Sequence, residues 1–384
     1  MKFQANKDVL SQAVIFVTKL LAPKPATAAL SGVRIDVSSS GEVTFASYDH
    51  DVSTRTTISV DASEEGAVLV SGRMLAEIVT RLPGDTVTLA VVDAKLVVTS
   101  GSSKFSMSLM ALNEYPNLPE IPEAIGTFDG ETFSEAIAQV GVAALRDDGL
   151  PAMMNISVEI TSAAVSLTAT DRYRIASRDI PWTSSSKEEG QQVLVPARVL
   201  MEAGKMFNTS DKVTLSLLSG GEREIIALSV DSKIVTSSLA KGQFPRVRAL
   251  LDEKGPGEGF AIVLASDLID ATKRVSLVVE RDAVLKYTFT SEGALLETQT
   301  GEAATASELV DAHVVGDDVT VWLKPRLVID GLTGAHSQFV RLGFTSSNEV
   351  GKAGPVLFTA HSSRDSAEVL KDYRYLMQPN FLAR

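Results

Sequence analysis

The chain has 384 residues, of which 45% are hydrophobic and 22% charged, a composition typical of a globular protein long enough for two or three domains. It contains no cysteine, which excludes disulfides, thiol catalysis and thiolate metal sites. The net charge of −12 argues against a strongly basic nucleic-acid binder, although an acidic protein can still carry a locally basic surface.

The predicted elements follow a pattern that occurs three times along the chain. Each repeat begins with an amphipathic helix whose apolar residues recur at spacings of three and four. Two alternating strands with a short turn follow, and then a second helix and more strands. The first helices are predicted at 8–21, 131–145 and 266–279. We therefore predict an α+β fold of three repeated domains, with helices on one face and an antiparallel sheet on the other.

Two stretches rich in proline, glycine and acidic residues separate the repeats. They span 111–126 and 252–260, and their composition favours extended linkers. We accordingly predict domains at 1–122, 123–254 and 255–384. The N-terminus lacks the apolar segment of a signal peptide, and no apolar run reaches the roughly 18 residues of a membrane span. We expect a cytoplasmic protein without a membrane partner.

The second helix of each repeat is predicted to begin beside an arginine. The segments VLVSGRMLAEI, VLVPARVLMEA and VWLKPRLVIDG align and place Arg73, Arg198 and Arg326 at matching positions. The residues alone leave two interpretations open. The arginines could fix the local turn, or they could line one surface that follows a polyanion without reading its sequence.

Residue patterns for catalysis or metal binding do not occur in the sequence. The four histidines are not spaced as an HxxxH pair, and no GxSxG elbow, P-loop or dinucleotide fingerprint is present. The segment YDHD (48–51) occupies the position that TDRY (170–173) has in the second repeat, so we interpret it as a turn. We expect no catalytic residue, no metal and no cofactor.

Four segments resemble the bacterial DNA polymerase III beta subunit family, the sliding clamps. They are LTATDRYRIA (167–176), KFSMSLMALNEYPNLPE (104–120), GQFPRVRALL (242–251) and YRYLMQP (373–379). The resemblance covers essentially the whole chain. It implies a head-to-tail homodimeric ring that encircles duplex DNA as a processivity factor, not an enzyme. It also implies that the alpha subunit of the replicative polymerase, the clamp loader and repair polymerases bind a pocket through short linear motifs.

The resemblance assigns three sets of residues by position. Those implied to contact DNA are Lys24, Arg73, Arg146, Arg198, Lys324 and Arg326. Those implied to line the peptide pocket are Met154, Thr170, Arg172, Tyr173, Arg174, Ile175, Pro245, Leu250, Pro355, Leu376, Gln378, Pro379 and Asn380. Those implied at the dimer interface are Lys104, Phe105, Met107, Ser276, Leu277 and Glu302.

Two departures from the family pattern affect these assignments. Gln378 replaces a usual apolar methionine in the tail MQPNFLAR, and an unpaired Gln costs roughly 1–3 kcal/mol in an apolar groove. We therefore hypothesise a pocket with changed affinity, as in a second clamp copy that tolerates a pocket-directed inhibitor. The dimer seam carries few charges, mainly Lys104, Glu302 and Glu308, so apolar packing would have to hold it. A protein-binding scaffold that has lost DNA encirclement is the remaining alternative.

Overall fold

The computed structural model describes most of the chain. The described residues are 1–22, 24–146, 149–185, 190–209, 212–221, 223–254, 259–280, 283–298, 304–346, 353–364 and 369–380. Their helices are α1 (Lys7–Thr18), α2 (Gly72–Arg81), α3 (Gly130–Gly141), α4 (Ala197–Phe207), α5 (Arg248–Lys254), α6 (Ala265–Val275) and α7 (Pro325–Gly334). Among these residues, no helix combines the length and the hydropathy that a bilayer crossing requires.

The strands are short and numerous. In chain order they are β1 (Lys2–Asn6), β2 (Gly32–Val37), β3 (Glu42–Tyr48), β4 (Val52–Ser59), β5 (Asp61–Glu64), β6 (Gly66–Ser71), β7 (Thr86–Val92), β8 (Lys95–Ser100), β9 (Ser103–Ser108), β10 (Ala124–Phe128), β11 (Asn155–Ile160), β12 (Ala164–Thr170), β13 (Arg174–Pro181), β14 (Thr183–Ser184), β15 (Gln191–Pro196), β16 (Val213–Leu218), β17 (Ile225–Val230), β18 (Lys233–Ser238), β19 (Gly259–Leu264), β20 (Leu285–Thr290), β21 (Gly293–Glu297), β22 (Ser307–Val310), β23 (Ala312–Val315), β24 (Val319–Leu323), β25 (Phe339–Ser346), β26 (Ala353–His361) and β27 (Val369–Met377).

The chain packs into two compact units. The first comprises Met1–Ser134, Trp182–Lys187 and Arg198–Leu239, and the second comprises Glu135–Pro181, Glu188–Ala197 and Ala240–Arg384. The first unit contains a five-stranded sheet, β5-β1-β7-β8-β9, and a nine-stranded sheet, β14-β10-β16-β17-β18-β4-β3-β2-β6. The second contains a nine-stranded sheet, β15-β11-β12-β13-β27-β26-β25-β19-β23, and a four-stranded sheet, β22-β21-β20-β24.

Strand pairing across repeat boundaries explains this division. In the first unit, β18 of the second repeat pairs with β4 of the first, from Ile234 opposite Arg55 to Ser237 opposite Val52. In the second unit, β13 of the second repeat pairs with β27 of the third. Each pairing removes two exposed sheet edges, and the second repeat is thereby shared between the units.

The first helix of each repeat begins one residue before its predicted start and ends three or four residues before its predicted end, while α5 was not predicted as a helix. In α1, the Asn6 side chain accepts hydrogen bonds from the backbone N–H groups of Asp8 and Val9, at 2.9 and 3.3 Å, and so caps the helix. Residues at spacings of three and four, such as Leu10, Val14 and Val17, are fully buried. The predicted strand pairs are present as the antiparallel hairpins β2–β3, β11–β12 and β20–β21. The prediction of an α+β fold is confirmed.

The first predicted linker is extended and largely exposed, but a few buried side chains attach it to its unit. After a short turn at Leu112–Glu114, it continues without helix or strand to β10. Tyr115 is 7% exposed because its ring packs in a cluster with Tyr48 and Leu69. The acidic and proline-rich composition thus predicts the backbone conformation correctly, while apolar side chains fasten the segment to its unit. In the second predicted linker, 252–260, residues 255–258 lie outside the described residues. Residues 252–254 belong to α5 and residues 259–260 to β19, so the linker prediction is wrong at both ends. The predicted domain boundaries stay a prediction.

Candidate functional site: helix starts, a pocket and two sheet edges

An arginine is the second residue of one helix in each repeat. Arg73 follows the first residue of α2, Arg198 that of α4 and Arg326 that of α7, and all three are exposed. A cation near a helix N-terminus opposes the helix dipole, so this position brings no local stability. An arginine at this position that has no partner within the chain is therefore more suited to binding another molecule than to stabilising its helix.

The three arginines differ in their partners. Arg198 donates a hydrogen bond from Nη2 to the carbonyl oxygen of Leu20 at 2.9 Å, so the structural interpretation holds for this residue. Arg73 and Arg326 make no hydrogen bond or ion pair with any residue that the structure describes. Lys24 and Arg146 are likewise exposed and unpaired among the described residues. Asp147 and Asp148, which follow Arg146 in its predicted loop, lie outside the described residues.

Three other helical cations each form an ion pair with an acid of the same helix. The N···O distance is 3.5 Å from Arg81 to Glu77, 2.7 Å from Lys205 to Glu202 and 3.4 Å from Lys273 to Asp270. The candidate DNA contacts Lys24, Arg73, Arg146 and Arg326 differ from these three cations because they have no acid partner in the described structure. Exposed cations of this kind suit phosphate contact.

The candidate peptide pocket lies entirely in the second compact unit. Its apolar floor is a cluster of Ile175, Leu251, Leu357 and Leu376, each less than 8% exposed, against which Val247 packs. Among the predicted pocket residues, the exposed ones are Arg172, Tyr173, Leu250 and Gln378. The half-buried ones are Met154, Pro245, Pro355 and Asn380, and the buried ones are Thr170, Arg174, Ile175, Leu376 and Pro379.

The turn from β12 to β13 holds its own shape. The Asp171 carboxylate accepts hydrogen bonds from the backbone N–H groups of Tyr173 and Arg174, both at 3.1 Å. Arg172 adopts a left-handed φ of 78°, and His50 in the first repeat has the same φ. There Asp49 accepts from the N–H groups of the two residues that follow His50. The prediction that YDHD is a turn is confirmed.

Arg174 is buried and fully engaged. Its guanidinium donates to Asp171 Oδ2 at 3.0 Å, to Asp330 Oδ2 at 2.5 Å, to the Tyr375 hydroxyl at 3.1 Å and to the Val142 carbonyl oxygen. Burial acts to lower the pKa of Arg174, but Tyr375 and the two carboxylates outweigh it and raise that pKa above its ordinary value. Arg174 therefore connects the β12–β13 turn to α7 and β27.

None of these four partners was among the predicted site residues, and two of them, Tyr375 and Asp330, come from the third repeat. Tyr375 in β27 is fully buried and donates to the Leu327 carbonyl oxygen at 2.8 Å. Asp330 in α7 is the acidic residue of the repeated arginine motif, equivalent to Glu77 and Glu202. The repeated acidic position could have drawn attention to Asp330. Its pairing with Arg174 could not be deduced from the sequence, because the two residues lie 156 positions apart.

The rim of the pocket centres on Tyr173, whose side chain is 46% exposed. Its carbonyl oxygen accepts a hydrogen bond from the backbone N–H of Gln378 at 2.8 Å, which joins the tail to the turn. The ammonium of Lys324 lies 4.7 Å from the centroid of the Tyr173 ring. The fold thus places Lys324, a predicted DNA contact, over the ring of Tyr173, a predicted pocket residue.

Helix α5 forms a wall beside the apolar floor. Two ion pairs hold it, and α5 supplies the cation of one and the anion of the other. Arg248 Nη2 lies 2.8 Å from Asp179 Oδ1 in β13, and Arg374 Nη1 of β27 lies 2.5 Å from Asp252 Oδ1. Leu250 is 41% exposed, whereas Leu251 is 2% exposed. One apolar side chain of α5 is thus buried in the floor while its neighbour stays accessible.

The predicted dimer residues lie at or near terminal sheet edges. Strand β9, with Lys104 and Phe105, is the edge of the five-stranded sheet, and Phe105 is 41% exposed while Met107 is 4% exposed. In the second unit, β22 is an edge of the four-stranded sheet. Leu277, just after α6, is 83% exposed, and the neighbouring Ser276 donates to the Thr272 carbonyl oxygen at 2.5 Å. Glu302 lies outside the described residues.

The candidate dimer edge of the second unit contains an internal ion pair. Glu308 in β22 accepts two hydrogen bonds from Arg274, at 2.5 and 3.0 Å. This bond lowers the pKa of Glu308. Leu309, the next residue, is 56% exposed. This edge therefore offers an exposed apolar side chain beside a neutralised ion pair. No cluster of three or more metal-ligating side chains occurs in the part of the chain that the structure describes.

The fold is that of sliding clamps. A solved clamp from Bacillus subtilis superposes with a TM-score of 0.87 over 100% of both chains at 22% identity. A Pseudomonas aeruginosa clamp bound to griselimycin superposes with a TM-score of 0.88 over 100% of both chains at 21% identity. The chain is therefore of the three-domain clamp class.

Sequence models of the DNA polymerase III beta subunit match the chain in order: the N-terminal domain at residues 1–119, the central domain at 127–246 and the C-terminal domain at 258–364. The chain belongs to this family, whose members are non-catalytic processivity factors of DNA replication. Among its relatives, the beta sliding clamp of Streptomyces coelicolor is 34% identical over 99% of both chains. That of Micrococcus luteus is 38% identical over 81% of this chain and 98% of its own.

Proposed function

We propose that two copies of this chain close head to tail into a ring around duplex DNA and hold the replicative polymerase there. The observation that carries this proposal is the repeated arginine at the second position of α2, α4 and α7, exposed in all three repeats. In the family context, equivalent cations from each domain of a closed ring would face one duplex. Contacts of this kind are sensitive to salt and independent of sequence.

Of the six candidate DNA contacts, Lys24, Arg73, Arg146 and Arg326 have no partner in the described structure, whereas Arg198 also donates to the Leu20 carbonyl oxygen and Lys324 lies over the Tyr173 ring. Few such cations are needed because a closed ring is retained on DNA by topology and not by affinity. The strongly negative net charge then favours a mobile ring, since only a few positive side chains attract the phosphates.

The ring requires two heterologous seams. We propose that β9 of one chain pairs with β22 of its partner, because each strand offers an unpaired edge next to exposed apolar side chains. Phe105 would pack against Leu277 and Leu309 of the other copy, and Lys104 would lie at the margin. Glu308 is already paired with Arg274, so we expect a seam whose strength depends weakly on salt.

The pocket of the second compact unit is proposed to bind short linear motifs of the polymerase alpha subunit, the clamp loader and repair polymerases. Support comes from an apolar floor beside accessible Leu250 and Tyr173, which suits apolar anchor residues. Gln378 is exposed, so its amide can stay hydrated when a ligand binds. Replication is a cytoplasmic process in bacteria, which is the location we propose.

Light scattering across a dilution series tests the dimer. We expect a molar mass near twice 40.9 kDa. Leu277→Asp should shift the dissociation to higher concentration, whereas Leu218→Asp, a control on a 48% exposed leucine of β16, should not. A monomer at every accessible concentration would refute the ring.

Retention on DNA tests encirclement. The native protein, loaded onto nicked circular DNA, should stay bound through gel filtration and leave after one cut linearises the circle. Equal retention on circular and linear DNA would contradict a topological link and support ordinary surface binding.

A further inference from the structure

A lysine lies on the aromatic rim of the candidate pocket. Lys324 is the residue that precedes α7, and its ammonium is 4.7 Å from the Tyr173 ring centroid. It is half-buried and forms no ion pair within the described residues. A cation at this distance from an aromatic face is attracted to it and loses side-chain freedom. The charge is thus held in place without being neutralised.

The carboxylates around this lysine have other partners. Each aspartate on the elements that build the pocket, namely the β12–β13 turn, β13, α5, α7 and β27, is paired with an arginine. These pairs are Asp171 and Asp330 with Arg174, Asp179 with Arg248, Asp252 with Arg374, and Asp372 with Arg178. None of them contacts Lys324.

Two further cations on the same segments are also free of acid partners in the described structure. Arg172 lies in the turn beside Tyr173, and Arg246 follows the pocket residue Pro245; both are exposed. An acidic chain therefore keeps unpaired positive charge on the segments that border its apolar groove. This local inversion of charge is complementary to an acidic ligand.

We propose that the pocket selects linear peptides that carry an Asp or Glu beside their apolar anchors, and that Lys324 is the residue that binds this carboxylate. The inference rests on the proposed peptide-binding function and specifies its ligand. Tyr173 acts as the platform that orients the ammonium, so the carboxylate meets a cation already fixed at the rim. Binding then costs less side-chain entropy than it would with a free lysine.

The test begins with a random heptapeptide library selected on the full-length native protein. Peptides that bind the pocket are identified by loss of binding to Leu250→Ser, an uncharged change at an exposed wall position that does not itself repel acidic peptides. The strongest of them is synthesised with its acidic residue and with the matching amide, Asn or Gln. Fluorescence anisotropy then gives Kd for both peptides with the native protein, Lys324→Met, Lys324→Arg and the exposed control Lys95→Met.

We expect enrichment of Asp and Glu over Lys and Arg, and about three- to tenfold weaker binding of the amide peptide to the native protein. Lys324→Met should abolish this difference, Lys324→Arg should restore most of it, and Lys95→Met should leave it unchanged. Pocket peptides without acidic enrichment, or a preference that persists in Lys324→Met, would overturn the inference while the peptide-binding function stands. If no selected peptide depends on Leu250, the proposed pocket itself fails.

Discussion

Arg174 of the second repeat and Asp330 of the third form an ion pair with an N···O distance of 2.5 Å, although 156 positions separate them in the sequence. The Arg174 side chain is 3% exposed and the Asp330 side chain 25% exposed. The pair joins the turn at the pocket rim to helix α7, and Asp171 and Tyr375 complete the cluster. The candidate pocket is therefore built on a polar connection between two repeats.

Replacing Arg174 by Met should destabilise the protein strongly. The change leaves two carboxylates without their cation, and breaking a buried pair costs about 3–5 kcal/mol. Urea unfolding gives the free energy of unfolding. Arg172→Met, at the exposed neighbouring position of the same turn, should change it by about 0.5 kcal/mol or less. Similar losses for the two variants would show that the cluster contributes no special stability.

Gly331→Ala in α7 should be destabilising even though alanine favours helices. A Cβ at this position would lie 2.7 Å from Cδ1 of Tyr375 and 3.3 Å from Cδ1 of Phe358. The gain in helix propensity is about 1 kcal/mol, and overpacking costs typically 1–3 kcal/mol, so we expect a net loss. Thermal unfolding measures it, with the exposed Thr333→Ala as the helix-propensity control. A higher melting temperature for Gly331→Ala would disprove tight packing of α7 on β27.

Removing an unpaired cation should weaken binding to DNA more than removing a paired one. Arg73→Gln and Arg326→Gln should each reduce the slope of log K against log salt by about one per lost phosphate contact. Arg81→Gln is the matched control, because Arg81 lies 3.5 Å from Glu77 in the same helix as Arg73. The assay is binding to short duplexes at several salt concentrations. Equal slopes for all three variants would contradict the assignment of Arg73 and Arg326.

The start of α3 should respond to acid through Asp129. Its carboxylate accepts a hydrogen bond from the Thr132 N–H at 2.7 Å, and this bond lowers the pKa of Asp129. A lowered folded-state pKa means that the stabilisation is fully present above the unfolded value, about 3.9, and is lost as pH falls through the folded value.

Two substitutions isolate this effect. Asp129→Ala should lower the free energy of unfolding by about 1 kcal/mol at neutral pH. Asp129→Asn should keep most of the cap and remove its pH dependence, because the amide does not titrate in this range. Native protein and Asp129→Asn are compared by urea unfolding from neutral pH to about pH 3. A constant difference across that range would exclude Asp129 as the titrating group.

The local part of the fold was predictable because it depends on neighbouring residues. Periodicity located the helices, alternation located the hairpins, and the repeat located the arginines at the second residue of α2, α4 and α7. The family resemblance assigned the pocket residues, and the apolar members Ile175 and Leu376 do share one buried cluster. Their proposed ligand contacts stay a prediction.

The partners of the polar residues were not predictable. The sequence does not distinguish Arg174 from Lys324, since both are single cations beside apolar residues. In the structure, Arg174 is buried among carboxylates, whereas Lys324 lies over an aromatic ring. Arg198 shares a motif with Arg73 but donates to the Leu20 carbonyl oxygen. A charged side chain has the same local pattern in each case, and only its long-range neighbours decide its role.

The sequence by itself determined three α+β repeats, an arginine beside each second helix and the turn shared by YDHD and TDRY, because hydrophobic periodicity and turn chemistry act over a few residues. The tertiary structure decided the rest. It paired β18 with β4 and β13 with β27, and it gathered Arg174, Asp330 and Tyr375 into one cluster. Strand pairing and ion pairing between distant segments depend on which surfaces meet after folding, and that information is spread over the whole chain.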